Sequence, residues 1–352
     1  MRLAIIIGVG LLAVAIGVST ALRAPTLQNV VFERAATSAM ATMGEAASFG
    51  DDDLKIVFCG TGSPLPSAKR AQTCTAIIAG DRFYLVDVGT GSWETVQLAG
   101  LPGDRLGGIF LTHFHSDHIG DLTEANLGAW VAGRPATTPV FGPPGVASVV
   151  DGVNLAIAHD NAYRTAHHGK AIAAPRTAGL TAEAFPSPQT PTVVFEHDGL
   201  KVTAFQVDHE PVEPAVGYRF DYRGRSVVIS GDTSKTAALI AVAKGADVLV
   251  HEAQANHMVA TLQKAAAAAG NARVAKILSD IPSYHTSPVE AAEIANEADV
   301  RALFLNHLTP APDNFLTRRL FMRDVSKTRS GVVLAEDGMV VTVAEDGVSV
   351  TR

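Results

Sequence analysis

A short apolar run, GGIFLT, stops abruptly at His113-Phe114-His115-Ser116-Asp117-His118, three imidazoles and a carboxylate within six residues. The switch from apolar to metal-ligating side chains reads as a β-strand whose end carries chemistry, and it recurs along the chain. LKVTAFQV ends at Asp208-His209, SVVIS at Gly231-Asp232-Thr233 and RALFLN at His307. In open α/β sheets, sites form beyond the carboxyl ends of strands, where loops converge while the strands stay rigid. His113, His115, Asp117, His118, His209, Asp232 and His307 are therefore expected to meet at one edge. Any one of these histidines alone would be an ordinary surface residue; the spacing makes the set a metal site.

The rest of the pattern fits that frame. From Asp53 onward, short β-rich runs punctuated by Gly, Pro and Asp alternate with Ala-rich helical stretches, the signature of an α/β domain. LKIVFCGTG, TCTAIIAG and RFYLVDVG read as the first three strands, and Gly60-Thr61-Gly62 as a tight turn, since no Gly-Lys-Ser/Thr follows it. Ser287-Pro288-Val289-Glu290 has the residues of a capping box with Pro at the first helical position, which puts His285 at a fixed helix entrance. AEDG occurs at 335–338 and again at 344–347, and Asp-Gly between alternating apolar residues predicts a terminal meander. The stretch 130–191, including Tyr163, Arg164 and His168, reads as a loop cover over the metal edge. His159, His197 and His257 lie outside every motif and read as surface residues.

With 47% hydrophobic and 18% charged residues over 352, the chain can bury a real core and is neither disordered nor fibrous. Residues 1–24 hold an apolar run uncharged from Leu3 to Leu22, expected to be a signal peptide or a membrane anchor. The protein is accordingly expected in the periplasm or secreted, or else membrane-anchored with an extracytoplasmic domain. Residues 25–52 read as a linker with an amphipathic helix near Val30 to Met43, and 53–352 as the folded domain. Two cysteines exclude a disulfide scaffold and a four-cysteine zinc site. Cys59 and Cys74 fall in neighbouring strands, but alternate residues point to opposite faces, so free thiols are expected rather than a bond. Lys and Arg total 28 and Asp and Glu 35, so the net charge is 28 − 35 = −7, which argues against a general nucleic-acid binder while leaving room for a local basic patch.

Imidazole nitrogen and carboxylate oxygen suit Zn²⁺, and the same donors accept Mn²⁺ or Fe²⁺. His113 and His115 alternate by two and can point the same way, while Asp117 and His118 swing toward a neighbouring position, so one hexapeptide can feed two metals. A carboxylate such as Asp232 can bridge ions roughly 3.5 to 4 Å apart, which clamp the attacking and departing oxygens of a displacement by hydroxide.

These residues carry a resemblance. THFHSDHIGD resembles the metal-binding motif of the metallo-β-lactamase superfamily, with a match over nearly all of 54–310. Val86-Asp87-Val88-Gly89 resembles its first motif, whose Asp supports the site; His209, Gly231-Asp232-Thr233 and His307 resemble the third to fifth. The resemblance implies an α/β fold, a four-layer αββα sandwich. It implies one zinc on His113, His115, His209 and Asp232 and another on Asp117, His118, Asp232 and His307. His115 stands where flavodiiron oxidoreductases usually place Glu, and class B β-lactamases lack an equivalent of Asp232, so a hydrolytic site for a non-lactam substrate is implied. FCGTGSPLP, Gly217-Tyr218-Arg219, ISGDT, Val250-His251-Glu252-Ala253 and His285-Thr286-Ser287 followed by NHLTP resemble the ribonuclease Z and arylsulfatase-like branch. There the resemblance makes His285 a general acid or oxyanion stabiliser oriented by Glu252, and lets Asp117 also accept a hydrogen bond from the nucleophilic water.

Ribonuclease Z enzymes typically carry a long basic arm between the GYR-like strand and the GDT motif, whereas Tyr218 to Asp232 here has room for a hairpin only. Together with the apolar leader and the acidic balance, this sets the expectation of a small anionic substrate, a sulfate or phosphate ester, with tRNA unfavoured. A ribonuclease Z-like tRNA 3′ processing endoribonuclease is the alternative, and an inactive metal-binding module a third reading. A homodimer is an allowed assembly.

Overall fold

The computed structural model describes residues 24–42 and 49–351, which fall into two compact units, one holding 24–42 and the other 49–351. The leader expected over 1–24 thus lies outside the described residues except for Ala24, and no helix among the described residues is long and apolar enough to cross a membrane. The first unit is a helix, α1, Pro25–Thr42. It contains the helix expected near Val30, but Val30, Val31 and Phe32 follow one another and are all exposed, so it lacks the apolar stripe of an amphipathic helix.

The second unit is built on two sheets. The first has eight strands, β1 (Leu54–Gly60), β2 (Cys74–Ala79), β3 (Arg82–Val86), β4 (Leu106–Phe110), β5 (Thr138–Gly142), β6 (Leu180–Ala184), β14 (Val340–Val343) and β15 (Val348–Thr351), in the order β15-β14-β1-β2-β3-β4-β5-β6. The second has seven, β7 (Thr192–His197), β8 (Leu200–Gln206), β9 (Val216–Tyr222), β10 (Arg225–Ile229), β11 (Val248–Gln254), β12 (Ala302–Thr309) and β13 (Val333–Leu334), in the order β13-β12-β11-β10-β9-β8-β7.

Strand alternation assigns the layers. Leu54, Ile56 and Phe58 of β1 face the space between the sheets with Val202, Ala204, Val248, Val250 and Phe304 of the second sheet. The intervening Val57 and Cys59 face outward, packed with Trp93, Val96, Ala125 and Val150. Those residues belong to α2 (Ser92–Leu98), α4 (Leu122–Val131) and α5 (Val146–His168), with the short α3 (Ser116–Ile119) lying between the first two in sequence. On the far side, Phe205, Leu249, Leu303 and Leu305 pack against α6 (Ala237–Ala243) and α9 (Pro288–Glu297), with α7 (Asn256–Ala268) and α8 (Ala272–Asp280) between the two in sequence. Strands buried on both faces read as continuous apolar runs, and this gives the helix-sheet-sheet-helix sandwich.

Two local expectations change. Cys59 and Cys74 form a disulfide, with Cα atoms 5.0 Å apart. Phe58 pairs with Thr75 and Gly60 with Cys74, so Cys59 is the extra residue of a β-bulge and both sulfurs lie on the helix-facing side of the sheet. The bulge is the register information that composition could not supply. The two AEDG copies also diverge. The second turns β14 into β15, whereas the first carries the chain from β13 in one sheet to β14 in the other. There Asp337 accepts hydrogen bonds from the Thr61 amide at 3.0 Å and the Ala71 amide at 2.6 Å, pinning the loop after β1.

Candidate metal centre

Each ligand-type side chain is placed by a strand end or an irregularity. β3 leads into Asp87, in the left-handed region at φ 57°, and the Asp87 carboxylate accepts from the Thr112 amide and hydroxyl, both at 2.8 Å, where β4 gives way to the histidine run. β8 leads into His209 and β10 into Asp232. His307 departs from expectation: β12 does not stop before it but continues to Thr309. Glu252 pairs with Asn306 and Ala253 with Leu308, so His307 is the bulged residue, at φ 44°. The bulge turns a side chain that would otherwise follow strand alternation toward the site.

The expected side chains converge. His113, His115, His209 and Asp232 offer one ligand atom each, all within 4.8 Å of one another, as do Asp117, His118 and His307. Asp232 Oδ2 stands between the groups, 3.9 Å from His209 Nε2, 3.4 Å from His118 Nε2 and 3.4 Å from His307 Nε2. All are buried except His115, which is exposed. The backbone and neighbouring carboxylates choose which ring nitrogen faces inward. His118 Nδ1 donates to Asp87 Oδ2 at 2.8 Å and His209 Nδ1 to the Tyr284 carbonyl at 3.0 Å, leaving both Nε2 atoms for the pocket.

The electrostatics suit cation binding. Burial, assisted by neighbouring imidazoles, lowers His113, His115 and His209 and keeps these rings in the neutral, ligating form. Burial works against the Asp232 carboxylate, yet His307 and His118 beside it hold it well below the usual range. Among the described residues, His118 Nε2, His209 Nε2 and Asp232 Oδ1 are buried without a hydrogen-bond partner. Buried polar atoms are ordinarily satisfied, so three unpartnered donor atoms around one point fit a divalent metal site.

Beside this cluster, His285 Nδ1 lies 2.9 Å from Glu252 Oε1, and the same oxygen accepts from the amides of Thr233 at 3.2 Å and Thr286 at 3.1 Å. Burial disfavours the charged ring, but Glu252 more than compensates and His285 is pushed up to about 9. The capping box of α9 is formed, Ser287 Oγ accepting from the Glu290 amide, and it fixes the turn that carries His285. Sequence reasoning missed the Tyr284 carbonyl and the roles of Thr112, Thr233 and Thr286, because backbone carbonyls and short hydroxyls leave no mark in a motif.

The supposed cover is not a loop. Tyr163, Arg164 and His168 lie on the 23-residue helix α5, where Arg164 pairs with Asp160. Arg134, at the start of the same stretch, is buried and donates to the Thr177 and Gly179 carbonyls, a structural role. The Tyr218–Asp232 segment is indeed a hairpin, β9 pairing antiparallel with β10.

A beta-lactamase superfamily domain model matches residues 82–308. Ribonuclease Z of Mycobacterium avium is 36% identical over 261 residues, covering 73% of this chain and 87% of the relative. Among solved structures, the metallo-β-lactamase fold protein YhfI from Bacillus subtilis aligns at a TM-score of 0.58 with 22% identity, covering 82% of this chain and 98% of the other. The short form of human tRNase Z gives the same score at 20% identity, covering 82% and 99%. These findings overturn the expectation of a small sulfate or phosphate ester as the substrate, with tRNA unfavoured. That expectation leaned on a missing arm, an apolar leader and a net charge, and a whole-chain charge says nothing of how charge is distributed. With its clustered histidines and aspartates and its four layers, the chain belongs to the metallo-β-lactamase superfamily, among the relatives of ribonuclease Z, and is a metal-dependent hydrolase of ester bonds.

Proposed function

We propose that this protein is a ribonuclease Z-like endoribonuclease that hydrolyses RNA phosphodiesters, with precursor tRNA as its substrate class and two zinc ions as its cofactors. The identity to ribonuclease Z across most of both chains carries the reading. His113, His115, His209 and Asp232 would hold one ion and Asp117, His118, His307 and Asp232 the other. Ions bound there would acidify a water and offset the negative charge that gathers on the phosphate.

The chain's own residues supply the rest. Asp117 can accept a hydrogen bond from the attacking water. Glu252 holds the proton on His285 Nδ1, and the Thr233 and Thr286 amides hold Glu252. His285 Nε2, which has no hydrogen-bond partner among the described residues, can then give its proton to the departing ribose oxygen. A panel of precursor tRNA, unstructured RNA, bis(p-nitrophenyl) phosphate and p-nitrophenyl sulfate tests this. Endonucleolytic cleavage of precursor tRNA with slow turnover of the diester is expected; turnover of the sulfate alone overturns it.

Precursor tRNA is made in the cytoplasm, so a location outside it would change the substrate class to other RNA; an extracytoplasmic location is proposed separately from the activity. The uncharged run before Arg23 supports it, as does the Cys59–Cys74 bond, a kind that persists in oxidising compartments. Cell fractionation checks it, and protein confined to the cytoplasm would set it aside.

A further inference from the structure

Beyond β12, the helices α10 (Phe315–Phe321) and α11 (Val325–Thr328) border a cavity of about 620 Å³. Its apolar lining includes Leu320, Met322, Val325 and Val332, and its cationic lining includes Arg319 and Arg323. The segment 315–332 holds Arg318, Arg319, Arg323, Lys327 and Arg329 against the single acid Asp324, in a chain whose net charge is −7.

Most of this charge is already committed. Arg318 pairs with Glu336, Lys327 with Asp324, and Arg329 donates to the Val300 and Arg301 carbonyls. Arg319 and Arg323 are exposed and make no side-chain hydrogen bond or ion pair among the described residues. Next to them, Phe315 is 77% exposed and Leu316 63%. Unpaired guanidinium groups beside an exposed aromatic ring form a surface that takes phosphates and stacks bases.

The patch is joined to the metal centre by a short path. His307 lies eight residues before Phe315, and Asp313 between them accepts from Ser67 Oγ at 2.8 Å while its carbonyl accepts from Lys69 Nζ at 2.9 Å. The start of α10 is thereby tied to the loop that follows β1.

We propose that Arg319 and Arg323, with Phe315 and the adjoining cavity, dock the phosphodiester backbone of the RNA substrate away from the cleaved bond, serving where this chain has only the β9–β10 hairpin. The inference rests on the RNA reading. Charge complementarity commits it to a polyanion, and the exposed base-sized ring favours RNA over a lipid surface.

The test uses the full chain and the double variant Arg319→Ala/Arg323→Ala, two exposed changes outside the metal centre. Binding of fluorescently labelled tRNA is followed by anisotropy across a salt series, in parallel with cleavage of precursor tRNA and of bis(p-nitrophenyl) phosphate. The variant should bind tRNA at least about tenfold more weakly, with a log–log salt slope shallower by about 1.4 to 1.8, the value for two lost phosphate contacts. Its KM for precursor tRNA should rise while kcat and diester turnover stay unchanged. Unchanged affinity and slope overturn the docking site, as does a variant that loses binding to phosphatidylglycerol vesicles but not to tRNA. Wild-type protein that binds tRNA through these arginines yet cleaves no RNA refutes the proposed activity alone.

Discussion

At the scale of single residues, His285 and Glu252 carry the sharpest expectations. Among the described residues the His285 ring hydrogen-bonds only to the Glu252 carboxylate, so His285→Ala should keep its bound metals, measured by elemental analysis, while the rate falls about 10²- to 10⁴-fold. The pH profile separates a proton donor from a passive neighbour. With its pKa near 9 the ring is protonated at neutral pH, so activity that needs that proton declines as pH rises through about 9. Glu252→Gln removes the charge that favours the protonated ring and leaves burial to disfavour it. The alkaline limb of the kcat profile should move to lower pH by about 1 to 3 units; an unmoved limb would detach Glu252 from the chemistry.

At the scale of elements, the irregularities do the positioning. A regular β12 would leave His307 to the strand's alternation, and a regular β1 would leave Cys59 without a partner. The Cys59–Cys74 bond spans 15 residues of sequence, the segment that includes Thr61, Arg70 and Thr73. By the loop-closure argument the double variant Cys59→Ala/Cys74→Ala should lose roughly 3 kcal/mol of unfolding free energy, measured by urea denaturation, with metal content retained. These bulges explain where sequence reading stopped. The capping box before α9 and the hairpin after Tyr218 were legible because their signals are local. The bulges were not, because an extra residue in one strand is defined only by the strand beside it.

At the scale of the whole molecule, the centre is a seam between sheets. His113, His115, Asp117 and His118 hang from β4 in the first sheet, while His209, Asp232 and His307 come from β8, β10 and β12 in the second. Ions held across that seam bind the folded chain and not the unfolded one, so they add to stability. Dialysis against a chelator should lower the melting temperature and added Zn²⁺ should restore it, read by differential scanning calorimetry. Asp232→Ala should bind fewer ions and lose turnover, because both groups of donors reach toward its carboxylate.

The kinds of ligand, the alternation of strands and helices, and the histidine beside its carboxylate were determined by the sequence alone, since each is written in residue types and short spacings. Only the tertiary structure decided that Cys59 meets Cys74, that His307 leaves its strand's alternation, and that the Arg319 and Arg323 side chains beyond β12 make no hydrogen bond or ion pair among the described residues. Those outcomes depend on which groups come to lie opposite one another across strands and helices, and that is fixed by packing between segments far apart in the chain.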